Sequence, residues 1–204
     1  MLGARYPARI AALVYVDAAF DRGDVFEPYE TLLKTFPPGP HPQPADLASF
    51  DTLRAYLART QGPSGPEARL RARWVANADG SIRSPWSPEP QVLQGFSAES
   101  KAMVAAYQSE RIRVPALASY AVPESAAELM RPRYDTADPT LKERVERLYQ
   151  LNRENVARHE KWFTAFVAQG RIAEVSGGHD LFVVNPREVV RQLDAFVSSL
   201  PSTR

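Results

Sequence analysis

At 204 residues the chain is long enough to bury a real core, as one large domain or as a domain with a small appendage. Its 25 Lys and Arg against 24 Asp and Glu leave a formal net charge of +1, with no basic block to neutralise a run of phosphates, which argues against a nucleic-acid partner. Without cysteine there can be neither a disulfide nor a thiolate metal site, and His41, His159 and His179 show no ligand spacing, so no metal and no cofactor is implied.

The longest apolar stretch, Ile10 to Ala19, is interrupted by Asp17 and falls well short of the roughly 18 residues a membrane span requires. A soluble chain is expected. The first residues carry no signal-peptide pattern, which leaves the compartment open with the cytoplasm as default.

The first element is Ile10-Ala-Ala-Leu-Val-Tyr-Val-Asp17, a continuous apolar, β-branched run that predicts a strand buried on both faces of a parallel sheet. Before it, Leu2 to Pro7 offer the last turn of a helix. From Asp21 the period becomes helical. Phe26, Tyr29, Leu33 and Phe36 share one face up to Pro37-Pro38, and Leu47, Phe50, Leu53 and Leu57 share another. Between the two lies Pro37-Pro-Gly-Pro-His-Pro-Gln-Pro44, a polyproline-like loop in which His41 is expected to be exposed. Further loops are expected at Gly62 to Pro66 and Ser84 to Pro90, with a turn at Asn77-Ala-Asp-Gly80.

A second strand is expected over Ile112 to Tyr120, with Pro115 tolerated near its start. Asp138-Pro139 then reads as an N-cap and first residue of a long helix with a stripe of Leu141, Val145, Leu148, Phe163 and Phe166, stopped at Gly170. On that helix His159 is expected to be a half-buried packing residue. Arg171 to Val175 predicts a third strand and Ser176-Gly-Gly-His-Asp180 a loop. Asn185-Pro186 should cap a final helix that buries Val189, Val190, Leu193, Phe196, Val197 and Leu200. Strand, helical insert, strand, helix, strand, helix predicts an α/β fold with a parallel sheet.

Three stretches, taken in order, resemble the C-terminal part of the α/β-hydrolase family. Leu2 to Asp17 is similar to the end of the helix after the nucleophile elbow and the sixth strand. Arg111 to Glu124 is similar to the seventh strand and its acid-bearing loop, although Val122-Pro-Glu stands where the family more usually has Gly-x-x-Asp. Gly177-Gly-His-Asp-Leu-Phe-Val-Val-Asn-Pro-Arg-Glu-Val189 is similar to the histidine loop and last helix. The resemblance implies an incomplete α/β-hydrolase fold: a partial parallel sheet with flanking helices and a helical cap insertion. Residues 1–20 would be the post-nucleophile helix and sixth strand, 21–110 the cap, and 111–204 the C-terminal half of the core.

By the same resemblance His179 is the proton-carrying histidine, and its orienting acid is either Asp17, used at strand six by some dehalogenases, or Glu124. Asp180 is a weaker third, expected to point away from the ring. The family's Gly-x-Ser-x-Gly elbow is absent. Gly95-Phe-Ser97-Ala-Glu99 and Gly80-Ser81 follow no buried strand, so neither supplies it.

The implied activity is serine-type cleavage of an ester-like bond in a small-molecule substrate, with no turnover expected from this chain alone. The rival with an aspartate nucleophile is an epoxide hydrolase or haloalkane dehalogenase, and a third reading is a non-catalytic binding module. Aromatic residues Phe26, Tyr29, Phe36, Phe50, Tyr56, Trp74 and Trp86 are expected first as cap core. Self-association through the exposed sheet edge at the first strand is also expected.

Overall fold

The computed structural model describes residues 2–20, 26–37, 39–62, 65–83, 111–131 and 133–201. The expected loop from Ser84 to Pro90 with Trp86, and the Gly95 to Glu99 stretch, lie outside them. In chain order the elements are α1 (Leu2–Arg5), β1 (Leu13–Val16), α2 (Glu27–Lys34), α3 (Phe50–Gln61), α4 (Glu67–Arg73), β2 (Val75–Ala76) and β3 (Ile82–Arg83). They continue with β4 (Ala116–Val122), α5 (Ala126–Met130), α6 (Arg133–Thr136), α7 (Pro139–Phe166), β5 (Gly170–Ser176), α8 (Leu181–Val184) and α9 (Pro186–Ser198).

The protein is mixed α/β, with a parallel sheet flanked by helices. β4 lies in the middle, parallel to β1 on one side and β5 on the other, with Leu13 opposite Ala116 and Gly170 opposite the same residue. All seven β4 residues are buried, as a strand covered on both faces requires. Alternation along β4 separates two cores. Ala116, Ala118, Tyr120 and Val122 pack with Val156 and Phe163 of α7, while Ala121 packs with Leu181 and Val189 of α8 and α9.

Burial on both faces belongs to β4 and not to the first strand. β1 is only four residues long, pairs with β4 alone among the described residues, and leaves Val14 41 % exposed. The second strand also starts later than expected. Ile112 makes an isolated bridge to Val167, and the continuous ladder begins just after Pro115, which has no N–H to give it.

α7 starts where the sequence places it. Asp138 Oδ1 accepts the Leu141 N–H at 2.8 Å, and Pro139 fills the first position. The Asp138→Ala variant is therefore expected to lose about 1 kcal/mol, read as a lower urea midpoint at unchanged slope. The helix ends at Phe166, four residues before the expected stop, and Gly170 instead opens β5. A Cβ there would lie 2.9 Å from a ring carbon of Phe163, so glycine lets the strand pass the helix closely. His159 is more buried than expected, 6 % exposed, and its ring meets that of Phe20 edge-on at 4.9 Å.

α9 packs through Val189, Leu193 and Phe196 of the expected face, but that face is narrower than its apolar residues suggest. Val189, Gln192 and Phe196 are buried, whereas Val190 and Val197 are 54 % and 59 % exposed. Gln192 is drawn inward because its Oε1 accepts a hydrogen bond from Ser119 Oγ of β4 at 2.8 Å. Asn185 does not cap the helix with its side chain. Its Nδ2 instead donates to the Ser176 carbonyl at 3.4 Å, while Pro186 takes the first helical position.

Between β1 and β4, a second apolar cluster gathers Phe50, Leu53, Tyr56 and Leu57 of α3 with Leu70 and Ile82, and Leu47 and Trp74 pack against it. Ser49 caps α3, and Gly80 turns the β2–β3 hairpin at φ +85°. α2 lies apart from this cluster and buries none of its residues fully; Leu33 is exposed. Phe26 and Phe36 sit instead under the guanidinium groups of Arg158 and Arg144 of α7, at 5.0 and 4.9 Å.

Candidate active site

The C-terminal ends of β1, β4 and β5 point the same way, and the chemistry gathers there. Asp17 follows β1 directly. Its N–H donates to the Ser119 carbonyl at 2.7 Å, extending the ladder by one bond, and its backbone then turns left-handed at φ +46°. Aspartate tolerates that conformation better than most residues, at a cost on the order of 1 kcal/mol. The turn sends the side chain over the end of β4, where Oδ1 accepts the Ala121 N–H at 3.0 Å. β1 has ended by that point, so the carboxylate takes the place of the missing strand. The side chain is 9 % exposed, and its other oxygen, Oδ2, faces His179 Nδ1 at 2.6 Å.

His179 reaches this position from the loop after β5. Gly177 adopts φ +135° with a virtual Cβ only 3.2 Å from a Val184 methyl, so this position requires glycine for both conformation and space. Gly178 has nothing within 4 Å of a virtual Cβ, so only one of the two glycines is spatially obligatory. The imidazole is held by its Nδ1 edge and is otherwise open, with 78 % of the side chain exposed. Against an ionised Asp17 the short contact requires the proton on Nδ1, leaving the Nε2 lone pair of the neutral ring free to accept another.

Glu124 lies beyond the end of β4 and lines the same cleft, but its carboxylate makes no hydrogen bond among the described residues. Its own N–H donates to the Glu128 carboxylate at the start of α5. Of the two candidate acids, only Asp17 is joined to the imidazole. The cleft encloses about 550 Å³, bordered by Gln61 and Gly62 on one side, Glu124, Glu128 and Arg131 on another, and His179 and Asp180. The Asp180 carboxylate is engaged elsewhere than on the ring, its Oδ1 pairing with Arg69 of α4 at 2.6 Å. Tyr29 of α2 stands close enough to feel the Asp17 charge, and its hydroxyl is pushed up chiefly by burial, then by Glu30 and Asp17.

Arg69 carries no local sequence signal, and the helical spacing that marks Tyr29 does not reveal its place near Asp17, since only the tertiary packing brings them here. His41 is exposed, and His159 is buried, with its ring against Phe20. Among the described residues no group of three or more His, Cys, Asp or Glu side chains is placed to hold a metal ion, and no helix is long and apolar enough to cross a membrane.

No protein-family model matches the sequence, and no curated protein matches it. Among solved structures, a thioesterase domain from the curacin biosynthetic pathway is similar at a TM-score of 0.43 and 18 % identity, over 97 % of this chain and 61 % of that one. The chain thus spans about three fifths of that domain's length.

Proposed function

We propose that Asp17 and His179 are the acid and histidine of an α/β-hydrolase relay acting on a small ester-like substrate, with the nucleophile supplied by polypeptide outside these 204 residues. The observation that carries this reading is the 2.6 Å contact between Asp17 Oδ2 and His179 Nδ1 at the C-terminal ends of parallel strands, with no hydrogen bond to Nε2 among the described residues. Residues 1–20 and 111–204 would then belong to the hydrolase core and 21–110 to its cap.

In this reading Nε2 takes the proton from the attacking hydroxyl as the acyl bond forms and returns it to the leaving alcohol as the ester bond breaks. Nε2 next takes a proton from water as its oxygen bonds to the acyl carbon, and returns that proton to the nucleophile's oxygen as the acyl–enzyme bond breaks and the acid leaves. Asp17 keeps Nδ1 protonated and stabilises the imidazolium that forms in each half.

An ester-cleavage assay on the purified chain tests the division of labour. The expected rate on a small activated ester equals that of the His179→Ala variant. Turnover that disappears in that variant would show that the chain holds its own nucleophile. A second reading is favoured by the origin of the acid at the end of β1: the same pair could serve an aspartate nucleophile in an epoxide hydrolase or dehalogenase. The coding sequence upstream separates the two by whether its elbow holds Ser or Asp, and an upstream frame with no elbow would overturn both.

A further inference from the structure

An imidazole with 78 % of its side chain in solvent receives little orientation from packing, so its direction has to come from tethers. Asp17 is one, acting on the ring. Leu181 is anchored in the sheet core, and a second set of contacts acts on the residues on either side of it from α4 and the turn before it. The Arg69 guanidinium pairs with Asp180 at 2.6 Å, with both side chains partly shielded at 29 % and 41 % exposure. The same guanidinium lies over the Phe182 ring at 5.0 Å. Gly65, at φ +75°, passes so near α8 that a Cβ would meet Val183 methyls at 3.2 and 3.3 Å. Positions 180, 182 and 183 are therefore all gripped from one side, while on the other side Gly178 has open space and Gly177 a backbone few residues adopt.

We propose that the Arg69–Asp180 pair is a positioning link that fixes the histidine loop at the angle where Nδ1 meets Asp17, making the orientation of His179 depend on the seating of α4. Arg69 and Asp180 are positioning residues in this scheme and touch no reacting atom. The inference rests on the proposed role of His179, because only a proton carrier needs its ring so directed. It also gives the acid next to the histidine a partner other than the ring.

The test uses the full chain labelled with ¹⁵N, with Asp180→Asn, Arg69→Gln and the double variant compared with the unaltered protein. Two quantities are read: amide hydrogen exchange at Gly178 and His179, and the downfield Nδ1 proton of His179. Each single variant is expected to speed exchange at both amides about threefold to tenfold and to broaden the Nδ1 proton, while Ala118 and Tyr120 in β4 keep their rates. The double variant is expected to be no faster than either single one, since both substitutions remove the same contact.

Unchanged loop exchange, additive effects, or a parallel acceleration in β4 that marks general loosening would each overturn the link. Failure of the link can be told apart from failure of the proton-carrier reading. An unaltered protein with no Asp17-dependent Nδ1 proton contradicts the latter whatever the loop exchange does.

Discussion

In the Asp17→Asn variant the downfield Nδ1 proton of His179 is expected to disappear while the fold persists. Asparagine has nearly the same shape as aspartate, tolerates a left-handed backbone, and can keep an oxygen on the Ala121 N–H, so the bond that closes the end of β4 survives. What changes is the face turned to the imidazole. An amide NH₂ there demands an acceptor at Nδ1, which moves the ring proton to Nε2, the nitrogen the proposed relay needs free. If the proposed relay holds, the corresponding loss of turnover in an enzyme carrying the nucleophile is on the order of 10⁴-fold. Glu124→Gln should leave the downfield Nδ1 proton in place, as its carboxylate makes no hydrogen bond among the described residues. The opposite pattern would transfer the acid's role to β4. Asp17→Ala is a harsher change, because it also strips the buried Ala121 N–H of its acceptor at about 1–3 kcal/mol.

Phe163→Ala should have the largest effect on stability, a loss of about 3–5 kcal/mol in a two-state urea titration. Phe163 is 1 % exposed, meets Tyr15 of β1 edge-on at 6.0 Å, and packs where Gly170 lets β5 approach. One ring thus joins α7 to an outer strand on each side of β4. A loss below about 1 kcal/mol would mean that the surrounding side chains can close the cavity, contrary to the close packing around this ring.

What could be read from the sequence was what local rules encode. Asp138-Pro139 announced α7 because an N-cap and a proline act within one turn, and Gly177-Gly-His marked the loop because one of its glycines is sterically required. The choice between Asp17 and Glu124 was not legible. It depends on the register of β1 against β4 and on a single left-handed residue, neither of which has a pattern in the adjoining residues. α9 was misjudged in part, for a related reason. Val189, Leu193 and Phe196 pack as their spacing predicts, but beside them Gln192, bonded to Ser119, takes a buried place while Val190 and Val197 stay exposed. Phe26 and Phe36 looked like cap core because spacing records a face and not its partner. Their partners are arginines more than a hundred positions away on α7.

The distance along the chain between the paired groups governs when they can meet. Asp17 and His179 are 162 positions apart, and Asp17 and the Ala121 N–H are 104 apart. Helices such as α3 and α7 can form from neighbouring residues within microseconds, whereas parallel pairing between remote segments requires the closure of long loops before any contact repays it. In a refolding experiment helicity should therefore return well ahead of the imidazole–carboxylate contact, and the reappearance of that contact would time the last step of assembly.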